Sequence, residues 1–484
     1  MRHKVTKAQS FTKFSSCILG ALVTLWQFPI AWLLLFSGLV SVVSFAGPPS
    51  AIDVAAFDRD RVLKAANQYL NEKPITITAT TSSRSSGELH DYFNSSGAVK
   101  LSWELQIALI AGPAYDPLYQ CLPAFTEATD VKVNVAFSGD HPALNRHLAS
   151  LSEVPYDLVS THTKYAPSQL GFLAPLDGLL DDRDLDDFVP RVLEMASVDG
   201  ALYGVPRNID VRLLHYRTDL ISSPPATWDE LLDLARKHNR PPDHYGFLFP
   251  GRESGLFGTF FELAEMAGAK LFPEDLVPDI ENEAGRWALG FLRAFYVETL
   301  VPRELPEWHY DKVHEFFRAG RAAMAGDWPG YYSMYRDPSI SRVHDRLGLC
   351  PYPAGPAGKS LAYGGGHTFG LTRRGANKAE ALKLLLHLTS FDQQLAEARN
   401  GCVPVRRGVM QSFQGETDSA NRARLAMLED VIAEHILIPP KFAEYPAVED
   451  VLWRTVQRVM VNQLGVDEGL RLMREQIKEI VVRD

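Results

Sequence analysis

Leu105 to Ser160 reads LQIALIAGPAYDPLYQCLPAFTEATDVKVNVAFSGDHPALNRHLASLSEVPYDLVS. Leu105–Ile110 is an apolar run of strand length, stopped by Gly112–Pro113. Pro117–Thr129 sets Leu118, Leu122 and Phe125 on one helical face. Val131–Phe137 alternates Val with polar residues, the period of a strand. Pro142–Leu151 is helical again, and Tyr156–Ser160 is a third short strand. Strand, helix, strand, helix, strand at these spacings implies an α/β fold with a parallel sheet and crossover helices. Ligands of such sheets sit beyond the carboxyl ends of the strands. Tyr115–Asp116, Asp140 and His162–Tyr165 fall at those ends.

Outward from this stretch, Leu202–Leu220 carries Val211, Leu213 and His215 in alternation, a strand that leads into a second lobe. Thr227-Trp228-Asp229-Glu230 is a capping box, and the helix it opens bears Leu231, Leu232 and Ala235. His314–Tyr335, HEFFRAGRAAMAGDWPGYYSMY, reads as a helical run through Phe316, Phe317 and Met324 that breaks at Gly326–Asp327. Trp328, Tyr331, Tyr332 and Tyr335 then crowd around Pro329–Gly330. A carboxylate beside flat rings on a bent loop suits a sugar: rings stack on apolar C–H faces and the carboxylate accepts from hydroxyls. Near the C-terminus, Val448, Leu452, Val456 and Val459 form one helical stripe, and Leu470, Met473 and Ile477 another.

At 484 residues the chain exceeds one small core. Its net charge of −10 is spread out, with no basic tract, so nucleic acid is not an expected partner. Asp181–Asp187, DDRDLDD, reads as a solvated loop and helix start. The four cysteines, Cys17, Cys121, Cys350 and Cys402, match no zinc or redox spacing and allow at most one bridge outside the leader. The glycine run at Gly364–Gly366 lacks the Lys-Ser or Lys-Thr of a phosphate loop. Gly-x-Ser-x-Gly and His-Glu-x-x-His are both absent, and no motif fixes a pair of carboxylates. Catalysis, a metal and a cofactor are therefore not expected.

The N-terminus carries Arg2, Lys4, Lys7 and Lys13, followed by an uncharged stretch from Phe14 to Ile52. That stretch is long enough for a bilayer of about 30 Å. It contains Ser44-Phe45-Ala46 before Gly47, the small-residue pattern of signal cleavage. Residues 1–46 are thus expected to be an export signal, with a retained membrane anchor at 14–46 as the alternative. The rest is then periplasmic or on the outer face of the cytoplasmic membrane. Asp58–Glu72 reads as an amphipathic helix, Pro74–Thr80 as a short strand, and the Ser/Gly-rich Ser82–Gly97, with His90 and Tyr92, as linker. Arg61–Phe93 resembles the opening of alginate-lyase-like polysaccharide lyases, but the chain beyond Phe93 departs from them, so no catalytic residue carries over. Residues 47–100 are expected to be a remnant or linker.

Several pieces together carry a second resemblance. They are GALYGVPRNIDVRLLHYRTDL (200–220), PATWDELLDLARK (225–237), YGFLFPGRESGLFGTFFELAEMAGAKLF (245–272), PYPAGPAGKSLAYGGGHTFGL (351–371) and ANKAEALKLLLHLTSFDQQLAEARNGCVPVRRGV (376–409), with the loop at 316–335 between the third and fourth. From about Leu105 to the C-terminus the chain resembles the extracellular solute-binding proteins of sugar ABC transporters, the family that includes maltose-binding proteins. The resemblance implies two α/β lobes joined by hinge crossings, with a sugar or oligosaccharide held between them and delivered by a monomer to membrane permease subunits. Crossings are expected near Ile209–Arg212, near Leu361–Gly364 and after Val405. The lobes would be 101–210 with 363–405, and 211–362 with 406–484.

Ligand contacts are expected from four places. These are Asp327, Trp328, Tyr331 and Tyr332; Trp308, before His309–Asp311; Arg252 and Glu253 at a helix start; and Gly365 and His367 in the glycine run, where the backbone is bare. His162, Asn208 and Asp210 complete the set. Arg207, Arg252 and Arg406 hint at an acidic sugar. The rival readings are a polysaccharide lyase and a binding protein for a polyamine, a phosphate ester or iron.

Overall fold

The computed structural model describes residues 103–482. The leader, the helix expected at 58–72, the strand expected at 74–80, the expected linker and the lyase-like piece lie outside these residues. Among the described residues no helix is long and apolar enough to cross a membrane.

The first sheet starts with β1 (Trp103–Ile110), β2 (Val131–Gly139) and β3 (Leu158–His162), linked by α1 (Leu122–Thr129) and α2 (His141–Ser150). β1 pairs in parallel with both other strands, as the spacing implied. Leu105, Ile107, Ala108 and Leu109 on β1 are fully buried, which is why that strand is uniformly apolar. β2 is an edge strand with one face to solvent, hence its alternation. The hairpin β4 (Ser197–Val198) and β5 (Ala201–Leu202) precedes β6 (Val205–Val211).

The second sheet runs β10–β7–β9–β8, from β7 (Leu213–Arg217), β8 (Tyr245–Leu248), β9 (Ala322–Asp327) and β10 (Leu347–Cys350). Only Arg212 separates β6 from β7, so the chain changes sheets at one residue. It returns through β11 (Ala362–Leu371), which lies antiparallel to β3 and β6 and parallel to the short β12 (Ile436–Leu437). The fold is therefore two α/β lobes, each with its own sheet.

Around the second sheet lie α3 (Trp228–His238), α4 (Glu253–Ala267), α5 (Glu283–Val297) and α6 (Tyr310–Arg318). Helix α4 is apolar nearly all round because it is enclosed, with Phe257, Phe260 and Phe261 all buried. Helices α7 (Ala379–Leu388), α8 (Phe391–Arg399), α9 (Arg407–Glu416), α10 (Ser419–Glu434), α11 (Tyr445–Met460) and α12 (Val466–Val481) complete the chain. The two C-terminal stripes are fully buried where α11 and α12 pack on α4 and α5. Helix α9 packs on α8 through Leu395, Val409 and Phe413.

The helix expected through Met324 stops at Arg318 instead. Gly320, at φ 73°, turns the chain out in the left-handed conformation that ends helices. Ala322–Asp327 is then a wholly buried strand between β7 and β8. Its small residues admit close neighbours: a Cβ on Gly326 would lie 2.2 Å from the Tyr352 hydroxyl.

Thr227 caps α3, its side chain accepting the Glu230 N–H at 3.2 Å, while the Glu230 carboxylate accepts from the Ala226 N–H at 2.7 Å. Thr227→Ala is expected to cost about 1 kcal/mol, read as a lower urea midpoint at unchanged slope.

Candidate functional site

Where the two sheets approach each other, a cavity of about 100 Å³ opens. The first lobe supplies strand ends and the loops beyond them. Tyr115 comes after β1, Asp140 and His141 after β2, and His162 and Lys164 from β3 and its continuation. Arg207, Asn208 and Asp210 come from β6, and Tyr363 and His367 from β11. The second lobe supplies Ser254 at the start of α4, His309–Asp311 at the start of α6, and Trp328, Gly330 and Tyr331 after β9. The cavity lies beyond the carboxyl ends of β1, β2 and β3, where the carboxyl-end rule for α/β sheets expects a ligand.

The aromatic wall is pre-assembled. Trp328 stands 5.3 Å from Tyr310 and 5.9 Å from Tyr363, centroid to centroid. Tyr331 donates to Asp311 at 2.7 Å and stacks on His314 at 4.2 Å, so its ring is fixed before any ligand arrives. Tyr115 lies under the Arg207 guanidinium at 4.8 Å. Burial holds the Tyr310 hydroxyl far above its usual range, so it stays a donor.

The histidines of the polar wall are neutral. His141, His162 and His367 sit 5.0–5.2 Å apart, ring to ring. Burial pushes all three down, His367 to about 3, and likewise His309 to about 4. At neutral pH each ring therefore offers one N–H donor and one acceptor. Despite their closeness, no group of three metal-ligating side chains is arranged to hold an ion among the described residues. Arg207 is paired with Glu397 at 2.8 Å, both nearly inaccessible. Asp210, raised to about 6 by burial, accepts from the Asn208 amide at 2.7 Å and lies 3.7 Å from His367.

Five buried polar atoms on residues lining this cavity lack a partner: Arg207 Nη1, Asn208 Oδ1, His309 Nε2, the Tyr310 hydroxyl and His367 Nδ1. Leaving such groups unpaired costs about 1–3 kcal/mol each. Donors and acceptors are mixed among them, set beside flat rings.

Of the residues expected from sequence, Trp328, Tyr331, His162, Asn208, Asp210 and His367 line the cavity. Others are placed elsewhere, each for a packing reason. Asp327 is fully buried under the loop, accepting from the Tyr335 hydroxyl and from the Trp328 N–H at 2.8 Å, so it positions Trp328. Tyr332 packs under the Arg424 guanidinium at 4.6 Å, and Trp308 packs on Phe316 at 4.3 Å. Glu253 pairs with Arg146 at 2.6 Å, and Arg252 precedes it as a half-exposed N-cap. Gly365 lies inside β11, where a Cβ would come 2.4 Å from His162 Cε1; Gly364 would meet the Asp210 carbonyl at 2.7 Å. That glycine run accommodates neighbouring residues, not a ligand. The hint of an acidic sugar is weakened, since Arg207 pairs with Glu397, Arg406 lies 4.1 Å over Phe188 and 3.9 Å from Asp187, and Arg252 does not line the cavity. The sequence reading did not single out His141 and Tyr363, which only the convergence of distant segments reveals, whereas Lys164 and Tyr310 lie inside stretches it marked, His162–Tyr165 and Trp308–Asp311, without being named as contacts.

The sequence profile of bacterial extracellular solute-binding proteins matches residues 112–395. A probable ABC transporter-binding protein of Deinococcus radiodurans is 26% identical over 313 residues, covering 60% of this chain and 72% of that relative. The mannitol-binding protein of Pseudomonas aeruginosa is 26% identical over 330 residues, covering 62% and 74%. Among solved structures, maltose-bound MalE3 of T. maritima superposes with a TM-score of 0.71 at 25% identity, covering 78% of this chain and all of that one. A mannitol-bound solute-binding protein of Agrobacterium vitis shares the fold at a TM-score of 0.66 and 19% identity, covering 78% and 98%.

Proposed function

This chain belongs to the bacterial extracellular solute-binding protein family, and we propose that it is the extracytoplasmic substrate-binding component of an ABC importer, capturing a sugar or polyol between its two lobes. The observation that carries the ligand class is the set of five unpartnered polar atoms on residues lining one cavity with Trp328, Tyr310 and Tyr115. A hydroxyl both donates and accepts, so a polyhydroxylated ligand satisfies donors and acceptors alike, while its C–H faces cover the rings. A phosphate ester is disfavoured, because Arg207 is neutralised by Glu397 and the carboxylates of Asp140, Asp210 and Asp311 face the same space. The relatives named for mannitol and maltose support the same class.

The ligand contacts we propose are Trp328, Tyr331, Tyr310, Tyr115, His162, His309, His367, Asn208, Asp210 and Arg207. The lobes follow the sheets: 103–210 with 363–405 for the first, and 213–362 with 445–482 for the second. Helix α9 joins the first lobe, because it packs on α8. Closing about Arg212 and the start of β11 would trap the ligand, and the closed monomer would dock on permease subunits. Export follows from membership of an extracellular family; cleavage or retention of residues 14–46 as an anchor is the part we infer from the leader alone. Membership of a substrate-binding family supports reading the protein as a carrier rather than as a lyase.

Isothermal titration of the purified chain with mannitol, ribitol, maltose and maltotriose, beside galacturonate, putrescine and ferric citrate, tests this. Saturable micromolar binding of a neutral sugar or polyol is expected. Binding confined to the amine, the uronate or the iron complex would overturn the ligand class, and release of unsaturated products from alginate would overturn the carrier reading.

A further inference from the structure

Lys164 is unusual among the cavity residues because its ammonium is almost wholly shielded and yet belongs to a network spanning both lobes. It lies just after β3 in the first lobe. Its Nζ donates to Glu449 Oε1 at 2.6 Å, and Glu449 sits on α11 of the second lobe. It also donates to the Tyr363 hydroxyl, on β11, at 2.7 Å. Glu449 in turn accepts from Tyr445 at 2.9 Å and from Tyr165. Three tyrosine rings surround the ammonium: Tyr165 at 4.7 Å, Tyr363 at 5.4 Å and Tyr445 at 5.5 Å. The side chains of Lys164 and Glu449 are 2% and 8% exposed.

Two charges brought together in such an enclosure depend on each other. Separating the lobes would leave a desolvated cation in one wall and a carboxylate in the other until water re-enters. Another bridge across this seam, Arg146–Glu253, differs in kind, since Arg146 is 64% exposed and such pairs contribute little. An ammonium has three N–H donors, and two are used within the network. Lys164 is among the residues lining the cavity, and the network leaves its third donor unused. Glu449 does not line that cavity, although it does border a neighbouring groove on the seam.

We propose that Lys164 is a positioning residue that couples occupancy of the cavity to closure of the lobes, with Glu449 as its anchor on the opposite lobe. The inference rests on the cavity being the solute site. A ligand oxygen on the third N–H completes the coordination of the ammonium and makes the closed arrangement the one in which every partner is met. Ligand release then requires breaking the Lys164–Glu449 pair, so the network governs dissociation more than association.

The test uses the full chain with Glu449→Gln and Tyr445→Phe, titrated with mannitol and maltose, with dissociation followed by stopped flow and lobe separation by small-angle X-ray scattering. Glu449→Gln is expected to raise the dissociation constant on the order of tenfold, through faster release at an unchanged association rate. In the ligand-free chain it is expected to increase the radius of gyration. Tyr445→Phe removes the hydroxyl that bonds to Glu449 and no charge, so it should move both readouts the same way by less, and it serves if Glu449→Gln does not fold. Release and scattering curves identical to those of the unmodified chain would remove the coupling role. If the unmodified chain takes none of mannitol, ribitol, maltose and maltotriose, the solute reading fails, and scattering still decides the latch: an unchanged radius of gyration sinks it and an increase supports it.

Discussion

Glu262→Ala is expected to destabilise the protein by about 3–5 kcal/mol, the cost of stranding one member of a buried ion pair. Glu262 on α4 and Arg212 between β6 and β7 are both completely inaccessible. The Arg212 guanidinium bonds to both carboxylate oxygens, with Nε to Oε1 at 3.0 Å, and its Nη1 donates to Thr259 at 3.0 Å. Glu262 also accepts the Tyr363 N–H at 2.7 Å, so one carboxylate ties together both places where the chain changes sheets. Burial pushes Glu262 up to about 7 while Arg212 opposes that rise. Without the carboxylate, an arginine that cannot lose its charge is left in a dry site. Urea unfolding measures the loss. Glu262→Gln keeps an acceptor and should lose less. The double variant Arg212→Met, Glu262→Met removes both charges and should regain part of the loss. A Glu262→Ala midpoint near that of the unmodified chain would show that water reaches the pair and that it does not hold the crossing together.

The same residue illustrates what a linear reading can and cannot find. The apolar run at Leu105–Ile110, the alternation at Val131–Phe137 and the stripe Val448–Val459 are local signals, and each appears as the element its period implies. Arg212 and Glu262 are fifty positions apart, and neither period nor motif marks them as partners. Ala322–Asp327 departs from its helical expectation for a related reason. Ala and Met favour helices intrinsically, yet the space between β7 and β8 admits only a strand of small residues. The glycines of β11 suggest a ligand cradle, because sequence shows a missing side chain but not what occupies its place. There, His162 does. The aromatic loop is legible as a cluster, but only packing separates its members. Asp327 and Tyr332 point into the protein and Trp328 and Tyr331 border the cavity.

That separation makes Trp328→Ala the sharpest functional test, with an expected loss of about 1–3 kcal/mol in ligand binding, a rise of tenfold or more in the dissociation constant. Trp328 comes directly after β9, its N–H held by Asp327, and its indole lies 5.3 Å from Tyr310, 5.9 Å from Tyr363 and 5.9 Å from the Arg212 guanidinium. It is thus a half-buried ring on a rigid mount, able to cover a sugar face with little further loss of side-chain entropy. Trp328→Phe keeps a smaller stacking face and should lose less. Two neighbouring aromatics serve as controls with the opposite signature. Trp308→Ala and Tyr332→Ala remove packing against Phe316 and Arg424 respectively, and should lower the unfolding midpoint while leaving the dissociation constant of the folded fraction within about twofold. Calorimetric titration with the tightest sugar or polyol, beside thermal unfolding, separates the two classes. If Trp328→Ala binds as the unmodified chain does while Tyr332→Ala does not, the ligand lies on the other side of the loop, and the cavity between the sheets is not where it is held.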